Sequence, residues 1–237
     1  MKKIVITPTY NESKNILVLI KKIKKIDPNI DILIIDDNSP DNTSGLVEQF
    51  AKDRNDIFII NRKEKLGLGT AYITGFNWAI KNDYNFVIQM DADLSHDPKE
   101  IVVMLDKINN YDLVIGSRYI NGVNVINWPM SRLLLSYFAN IYSRLITGVP
   151  IFDLTGGYKC YRIDTLKKMP FESIKSEGYS FQIETTFYSW TNKFRIKEIP
   201  ITFTDRTVGQ SKMSKKIIYE AIWVVLKLRL KRIFNNL

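Results

Sequence analysis

Five short apolar segments in the first half of the chain, separated by longer amphipathic ones, constrain the fold more than any other feature. They are continuously apolar rather than alternating, as in "DILIID" (31–36) and "NFVIQM" (85–90). Strands of this kind belong to parallel sheets that helices cover on both faces. The predicted strands are 4–7, 31–36, 57–60, 85–90 and 112–117, and the predicted helices between them are 12–26, 42–53, 69–82 and 98–109. The sequence therefore predicts an α/β fold with a mostly parallel central sheet.

The second half of the chain alternates less regularly. Residues 130–147, "MSRLLLSYFANIYSRLIT", predict an amphipathic helix, and residues 214–234 predict another from their apolar spacing. Between them we expect strands at 158–161 and 195–203 and a helix near 180–192. A chain of 237 residues without an internal repeat or a linker fits one large domain.

Charge is concentrated near the end of the chain. The net charge is +9, and the residues from Arg206 onward include eight Lys or Arg against one Glu. Such a segment can bind nucleic acid, anionic lipid or a phosphorylated substrate, or form a solvated face. The single cysteine, Cys160, excludes an internal disulfide and fits a reducing, cytoplasmic compartment. The first apolar run is too short for a signal peptide, and no segment reaches the roughly 18 apolar residues of a membrane-spanning helix.

Polar motifs follow three of the predicted strands at the points where the strands end. They are "TPTYNE", "DDNSPD" and "DADLSHDP". Open parallel sheets bind ligands at the carboxyl ends of their strands, near the point where the strand order reverses. We therefore expect the three motifs to meet in one binding site.

The motif "DADLSHDP" is dense in carboxylates, which are costly to bury without a cation, a helix N-terminus or water. Asp91 and Asp93 form a D-x-D pair of the kind that shares Mg²⁺ or Mn²⁺ with water and substrate phosphates; solvated acids are the alternative. Asp97, followed by Pro98, is placed to cap the next helix. We expect His96, the only histidine, to be an exposed loop residue, and with no second His or Cys nearby it does not indicate zinc.

Two other motifs lie at strand ends. Asp36 and Asp37 end the second strand, where a carboxylate can accept hydrogen bonds from a sugar or a base. Asp41 or Asn42 is placed to cap the helix that follows. "EKLGLGTAY" (64–72) is a Gly-rich turn that either approaches a phosphate or simply starts a helix, and a lone G-x-G favours the second interpretation.

The motifs together resemble the family-2 glycosyltransferases, which have the Rossmann-like GT-A fold. "PTYNE", "DDNSPD", "KLGLGTAY", "DADLSHDP" and "GSRY" occur in the order and at the spacings of that family. "LTGGYKCY" (154–161), "EGYSFQIE" (177–184) and "FTDRTVGQSKMS" (203–214) narrow the resemblance to dolichyl-phosphate mannose synthases of the short type, without transmembrane helices. The resemblance implies a catalytic domain at 1–213 and a basic amphipathic helix at 214–237. The activity it implies is inverting, metal-dependent transfer of mannose from GDP-mannose to dolichyl phosphate or another polyprenyl phosphate.

The resemblance also implies site residues. Asp93 would be the principal ligand of Mg²⁺ or Mn²⁺ and Asp91 a second one. Arg118 would face the reacting phosphates and act in catalysis with Asp93, while Arg206 and Lys212 would close over the donor diphosphate. The residues implied for the nucleotide sugar are Pro8, Tyr10, Glu12, Ile35, Asp37, Asp91, Ala92, Asp93, Arg118, Arg206 and Lys212.

The absence of a second acidic motif bears on the nature of the acceptor. Family members that glycosylate a hydroxyl present an acidic base in an "ED"-type motif, whereas here Tyr179 and Ser180 follow the glycine of "EGYSFQIE". A hydroxyl nucleophile needs a general base, but a phosphate monoester, with a second pKa of about 6, is largely ionised at neutral pH. Such a phosphate needs cations to position it, and we predict Arg118, Arg132 and Ser136 for this role.

A lipid acceptor would also explain the two helices of the second half. The apolar face of 130–147 and the basic C-terminal helix, with Trp223 and the Lys227–Arg232 cluster, would lie on a membrane surface; packing on the core is the alternative. The residues of that apolar face are Leu133, Leu134, Tyr137, Phe138 and Ile141. We expect a protein that binds peripherally to the cytosolic face of a membrane, that of the endoplasmic reticulum in a eukaryote. Whether it also requires small membrane-embedded partner subunits stays open.

Other interpretations stay open as well. No residue here decides between mannose from GDP-mannose and glucose from UDP-glucose, and a family-2 glycosyltransferase with a non-lipid acceptor is a further alternative. A nucleic-acid-binding protein would carry basic residues interleaved with exposed aromatics, whereas the acids at the strand ends would repel a phosphate backbone, so we expect no nucleic acid. A catalytically inactive scaffold disagrees with the intact Asp93, Arg118 and Lys212.

Overall fold

The central sheet of the molecule is mostly parallel, as predicted. The computed structural model describes residues 1–205 and 215–234. Its strands are β1 (Lys3–Thr9), β2 (Asp31–Asp36), β3 (Ile57–Asn61), β4 (Phe86–Gln89), β5 (Leu113–Ser117), β6 (Val125–Ile126), β7 (Lys159–Arg162), β8 (Ile196–Pro200) and β9 (Phe203–Thr204). A seven-stranded sheet has the order β3-β2-β1-β4-β7-β5-β8, and β6 pairs with β9 in a separate small sheet. Within the large sheet only β7 runs antiparallel to its neighbours, β4 and β5.

Helices flank the sheet and agree with the predicted ones apart from their ends. They are α1 (Ile16–Ile26), α2 (Thr43–Ala51), α3 (Leu68–Lys81), α4 (Glu100–Lys107), α5 (Met130–Thr147), α6 (Ile163–Lys167), α7 (Gly178–Thr191) and α8 (Lys215–Ile233). Helix α1 begins later than predicted because the carbonyl of Glu12 accepts hydrogen bonds from the backbone N–H groups of Asn15 and Ile16 in a preceding turn. Neither β6 nor α6 was predicted, since such short elements carry little periodicity.

The predicted strand at 195–203 is two strands in the structure. β8 ends at Pro200, and the chain then leaves the large sheet, so that Phe203 pairs with Val125 of β6 instead. A single apolar run therefore serves two different sheets, which periodicity alone does not reveal.

The strand order reverses between β1 and β4. From β1 the chain adds β2 and β3 on one side and then places β4 on the other side of β1. Thr9 pairs with Asp36, and Ile6 pairs with Gln89, so the segments that follow β1, β2 and β4 leave the sheet at the same edge. The three polar motifs therefore meet at the switch point where open α/β sheets bind ligands.

Two apolar clusters cover the two faces of the sheet. Successive residues of β1 divide between them, with Ile4 and Ile6 in the cluster that contains Phe76 and Val5 in the cluster that contains Ile23. This alternation is the pleat of a strand that is buried on both sides. It accounts for the continuous apolar runs in the sequence.

Helices α5 and α8 pack against each other and turn many apolar side chains outward. In α5 the buried residues are the polar Asn140, Ser143 and Thr147, whereas Phe138 and Leu145 are 60% and 72% exposed. We call the exposed apolar residues the α5–α8 apolar surface; they are Met130, Leu134, Tyr137, Phe138, Leu145, Tyr219, Ile222, Trp223, Leu226, Leu230, Ile233 and Phe234. Of the predicted apolar face, Leu133 and Ile141 are half-buried instead. Within the described residues, no helix combines the length and the apolarity that a bilayer crossing requires.

Candidate active site

A polar cavity of about 240 Å³ lies at the carboxyl ends of β1 and β4. Its lining is Pro8, Thr9, Tyr10, Glu12, Asp37, Lys65, Gly67, Leu68, Ala71, Asp91, Ala92 and Asp93. Seven of the residues that the sequence implied for a nucleotide sugar therefore line one cavity. Ile35 is not part of this lining, and its side chain is buried in the core beside Pro8 on the neighbouring strand. A contact of its backbone with the nucleotide, which is what the resemblance implies for Ile35, stays a prediction.

Neighbouring hydroxyl groups donate hydrogen bonds to the carboxylates of Asp91 and Asp93, which both line the cavity. The Tyr72 hydroxyl donates to Oδ1 of Asp91 at 2.8 Å, and the Ser95 hydroxyl donates to Oδ1 of Asp93 at 2.6 Å. Within the described residues, no group of three or more His, Cys, Asp or Glu side chains is arranged to hold a metal ion. Two carboxylates with the remaining positions left to water and phosphate fit Mg²⁺ or Mn²⁺, which commonly bind in that way.

His96 is buried, so the prediction of an exposed loop residue was wrong. Its ring is only 2% exposed and stacks on Tyr158 at 4.7 Å, with the Phe203 ring edge-on at 5.5 Å. Burial lowers the pKa of the His96 imidazole, and the neutral ring accepts a hydrogen bond at Nδ1 from the backbone N–H of Asp91 at 3.2 Å. His96 therefore fixes the backbone that carries the first carboxylate of the D-x-D pair. No periodic signal marks this role, because the partner Tyr158 is distant in sequence.

The helix after the D-x-D motif starts later than predicted. Asp97 accepts a hydrogen bond from the backbone N–H of Lys99 at 3.0 Å, as a capping aspartate does, but Pro98 and Lys99 form a turn and α4 begins at Glu100. At the end of β2, Asp36 was wrongly expected to be available to a ligand. Its carboxylate is buried and accepts hydrogen bonds from the hydroxyls of Thr9 and Ser39.

Asp37 does line the polar cavity, and Arg62 holds it there. The two side chains form a short ion pair, and both are 7% exposed. Arg62 also donates to the hydroxyl of Thr70 at 2.7 Å and to the carbonyl of Gly67 at 2.8 Å, while the N–H of Gly67 donates to Asp37 at 3.3 Å. Arg62 thus ties the cavity's aspartate to the Gly-rich turn. We did not predict it, because an arginine after a strand has no distinctive pattern.

The Gly-rich turn starts a helix, and a carboxylate from elsewhere in the chain caps it. Glu177 accepts a hydrogen bond from the backbone N–H of Gly69 at 2.8 Å. Gly67 has a φ of +101°, a backbone conformation that favours glycine. A Cβ there would also lie 2.4 Å from the Glu177 carboxylate, which would have to move. Lys65, just before the turn, lies 3.7 Å from the centre of the Tyr10 ring, and it contributes a cation to a cavity whose lining includes four acids.

A second, apolar cavity of about 270 Å³ lies between α5, α7 and α8. Its lining is Trp128, Arg132, Leu135, Ser136, Phe138, Ala139, Tyr142, Ser143, Thr155, Tyr179, Ile183, Ile218, Ala221 and Ile222. The predicted acceptor residues Arg132 and Ser136 both lie on it. Arg132 is ion-paired to Asp205 at 2.7 Å, and Ser136 accepts a hydrogen bond from the Tyr119 hydroxyl at 2.8 Å. The cavity therefore combines a cation with a largely apolar wall.

Arg118 lies next to the apolar cavity rather than in the polar one. Its Nε and one terminal nitrogen each donate to Asp153 at 2.7 Å, and the same terminal nitrogen donates to Thr155, which lines the apolar cavity. Burial opposes the charge of both groups, but their attraction prevails, so the pKa of Arg118 is raised and the pKa of Asp153 is lowered. A direct contact of Arg118 with donor phosphates stays a prediction, as do the roles of Arg206 and Lys212, which lie outside the described residues.

Comparison with known proteins identifies the family of the chain. The family model "Glycosyl transferase family 2" matches residues 4–169. A polyprenol monophosphomannose synthase from Mycolicibacterium smegmatis is 44% identical over 224 residues, which are 94% of this chain and 84% of the relative. An undecaprenyl-phosphate mannosyltransferase from Micrococcus luteus is 39% identical over 222 residues, which are 94% of this chain and 91% of the relative.

Solved structures share the fold at low sequence identity. Glucosyl-3-phosphoglycerate synthase from Mycobacterium tuberculosis, in complex with Mn²⁺, UDP and glucosyl-3-phosphoglycerate, has a TM-score of 0.68 at 14% identity, covering 96% of this chain and 79% of that one. TarS 1–349 from S. aureus, in complex with UDP, has a TM-score of 0.63 at 20% identity, covering 96% and 65% of the two chains. The fold is therefore GT-A, as the sequence motifs implied.

Proposed function

The chain belongs to glycosyl transferase family 2 and is a glycosyltransferase, and on this premise we propose that it transfers mannose from GDP-mannose to a polyprenyl phosphate such as dolichyl phosphate. The two curated relatives support the sugar and the class of acceptor, since both carry mannose transfer and a polyprenyl compound in their names. The assignment of GDP as the nucleotide rests on the sequence motifs of the second half, residues 154–214.

The acceptor rests on one observation, which is the arginine in the apolar cavity. Arg132 and Ser136 supply a positive charge and a hydroxyl group, and most of the remaining wall is aliphatic or aromatic. An ionised phosphate on a long hydrocarbon chain matches both parts, because the charge meets a cation while the chain avoids water. A sugar hydroxyl acceptor would leave the apolar wall without a partner.

The donor is assigned to the polar cavity. Asp37 would receive the nucleoside, and Asp93, assisted by Asp91, would hold Mg²⁺ or Mn²⁺ against the diphosphate. A bound divalent cation would supply charge neutralisation to the departing diphosphate. Four acids surround this cavity, and they would repel a diphosphate without such a cation.

The transfer itself needs little chemistry from the protein. An oxygen of the acceptor phosphate attacks the anomeric carbon, the new carbon–oxygen bond forms on the face opposite the leaving group, and the bond to GDP breaks. GDP departs with the electron pair of that bond. The configuration of the anomeric carbon inverts because the attack comes from the opposite face. No base is needed, because the acceptor phosphate is already ionised at neutral pH. Arg132 and Ser136 would hold that phosphate in line.

The α5–α8 apolar surface would bring the enzyme to its lipid substrate. Trp223 is 71% exposed on α8, and the basic residues Lys227 and Arg229 of the same helix are exposed as well. Apolar side chains beside cations favour the interface of an anionic membrane. We therefore propose a protein bound peripherally on the cytosolic face of a membrane.

The experiment is transfer of labelled sugar to a lipid-extractable product by the purified chain. Dolichyl phosphate in detergent is supplied with Mn²⁺ or Mg²⁺ and with labelled GDP-mannose or UDP-glucose in separate reactions, each with an EDTA control. We expect label in the lipid phase with GDP-mannose and its loss with EDTA. Label from UDP-glucose alone would overturn the donor assignment, and label in neither reaction, with GDP still bound, would overturn the lipid acceptor.

A further inference from the structure

Trp128 lies close to both arginines that the acceptor site involves. The guanidinium carbon of Arg132 is 4.1 Å from the centre of the Trp128 ring, and that of Arg118 is 5.4 Å from it. Tryptophan is the most favourable ring for a cation–π contact, and arginine is the cation most often found there. The ring is itself packed edge-on against Phe203 at 5.4 Å. Two cationic side chains therefore contact the Trp128 ring, and Phe203 holds that ring in place.

The same residues hold two hydrogen-bond donors without acceptors. Within the described part of the chain, the indole Nε1 of Trp128 and the Nε of Arg132 are both buried and neither has a hydrogen-bond partner. A buried donor without an acceptor is unfavourable, because it has lost its hydrogen bond to water without gaining another. Two of them on adjacent side chains that line one cavity indicate a place that an acceptor group fills in another state.

The surroundings of these two donors indicate the chemistry of the group that would accept their hydrogen bonds. Arg118 and Arg132 are each paired with one carboxylate, of Asp153 and Asp205, but the Nε of Arg132 and the indole Nε1 of Trp128 still lack acceptors. Two donors on neighbouring groups, one of them charged, suit an oxyanion with several oxygens. The cavity beyond them is apolar. A phosphate monoester of a hydrocarbon chain satisfies all three conditions.

We propose that Trp128 is a further binding residue of the acceptor site, where its indole N–H donates to the acceptor phosphate and its ring holds Arg132 in position. The role rests on the proposed function only in assigning the phosphate to a polyprenyl chain. The role of Trp128 concerns binding of the phosphate and not the transferred sugar, so this role and the proposed function can be tested separately.

The experiment compares two substitutions that separate the ring from its N–H. Trp128→Phe keeps an aromatic face for Arg132 and removes the donor, whereas Trp128→Leu removes both. Binding of farnesyl phosphate and of uncharged farnesol is measured by calorimetry on the full chain, together with GDP binding. Trp78→Phe, on α3 and packed against Phe58 at 5.0 Å, is the matched control because Trp78 lines neither cavity.

We expect Trp128→Phe to weaken farnesyl phosphate binding about tenfold, as loss of one hydrogen bond to a charged group does, and Trp128→Leu to weaken it further. Farnesol and GDP affinities should stay within twofold of the wild type. Unchanged farnesyl phosphate affinity in Trp128→Phe, or no binding by the wild type, would overturn the proposal. An equal fall in GDP affinity would overturn it too, since Trp128 would then act through the fold. Wild-type binding without mannose transfer would contradict the proposed function and leave the role of Trp128 supported.

Discussion

Arg118 and Asp153 form a two-point ion pair inside the protein, with both nitrogen–oxygen distances at 2.7 Å and the aspartate side chain fully buried. The backbone N–H of Arg118 donates to the same carboxylate at 2.9 Å. The pair therefore joins the end of β5 to the segment before β7, and through Thr155 it borders the apolar cavity. Removal of either partner would leave the other as an uncompensated buried charge, which is strongly destabilising.

Asp153→Asn should lower the free energy of unfolding by about 3 kcal/mol or more, because it leaves the Arg118 guanidinium buried without its counter-charge. Urea unfolding followed by circular dichroism measures this loss. Asp106→Asn is the control, since Asp106 is 70% exposed in its pair with Lys107 and such pairs contribute about 1 kcal/mol or less. Equal stabilities of the two variants would show that the buried pair does not stabilise the fold.

Most of the fold was predictable from the sequence because its signals are local. Continuous apolar strands such as 31–36 and the helical spacing of 130–147 are read within one element. The antiparallel insertion of β7 between β4 and β5 is not a local property. Tyr161 of β7 faces Val87 on one side and Leu113 on the other, and nothing in "KCYR" indicates either neighbour.

The site was predictable where motifs end strands and unpredictable where distant residues complete it. Asp37, Asp91 and Asp93 line one cavity as expected. His96 was assigned to the surface because its stacking partner, Tyr158, lies on another strand. The partner of Arg62 likewise became visible only when β2 and β3 were placed side by side.

Arg62→Met should weaken GDP binding about ten- to a hundredfold, because Asp37 loses the group that orients it and the Gly67 turn loses an anchor. The KM for the lipid acceptor should stay near the wild-type value. Calorimetric titration with GDP measures the change, and Arg54→Met serves as the control because Arg54 pairs with Asp56 at the surface. If Asp37→Asn and Arg62→Met add independently in a double-mutant cycle, Arg62 does not act through Asp37.

Asp93→Ala should reduce transfer at least a hundredfold and remove the dependence of GDP binding on Mg²⁺ or Mn²⁺, because a principal ligand of the cation is lost. The fold should persist, since the Asp93 carboxylate receives hydrogen bonds from Ser95 of its own loop. Asp97→Asn is the matched control, as an amide can still cap the backbone of Lys99. Undiminished transfer by Asp93→Ala would exclude this carboxylate from the metal site.

Lys159 should make the stability of the protein depend on pH above neutrality. Its ammonium group is fully buried, donating to the carbonyl of Gln182 and the hydroxyl of Thr185. Burial lowers the pKa of Lys159 from 10.5 to about 7, while the charge of Asp153 acts in the opposite direction. Between these two values the unfolded chain binds more protons than the folded one, so stability rises with pH. Below pH 7 both states are protonated and the effect is constant.

The measurement is the difference in unfolding free energy between the wild type and Lys159→Met, followed from pH 6 to pH 9. We expect the wild type to gain about 2 kcal/mol relative to the variant between pH 7 and pH 9. Comparison of the two proteins removes the contribution of every other titrating group. A difference that does not change with pH would mean that Lys159 stays protonated in the folded protein.

Membrane binding should depend on the apolar side chains of α5 and α8 more than on charge alone. Phe138 and Trp223 are 60% and 71% exposed. Transfer of each side chain from water into the membrane contributes about 2 kcal/mol to binding. Phe138→Ser with Trp223→Ser should therefore reduce binding to vesicles of anionic phospholipid at least tenfold at physiological salt, measured by co-sedimentation. Val102→Ser on α4, which replaces a residue 57% exposed on a different helix, should leave binding unchanged. Equal binding by both variants would show that the membrane contacts another surface, whereas loss of binding only on raising the salt would assign it to the basic residues.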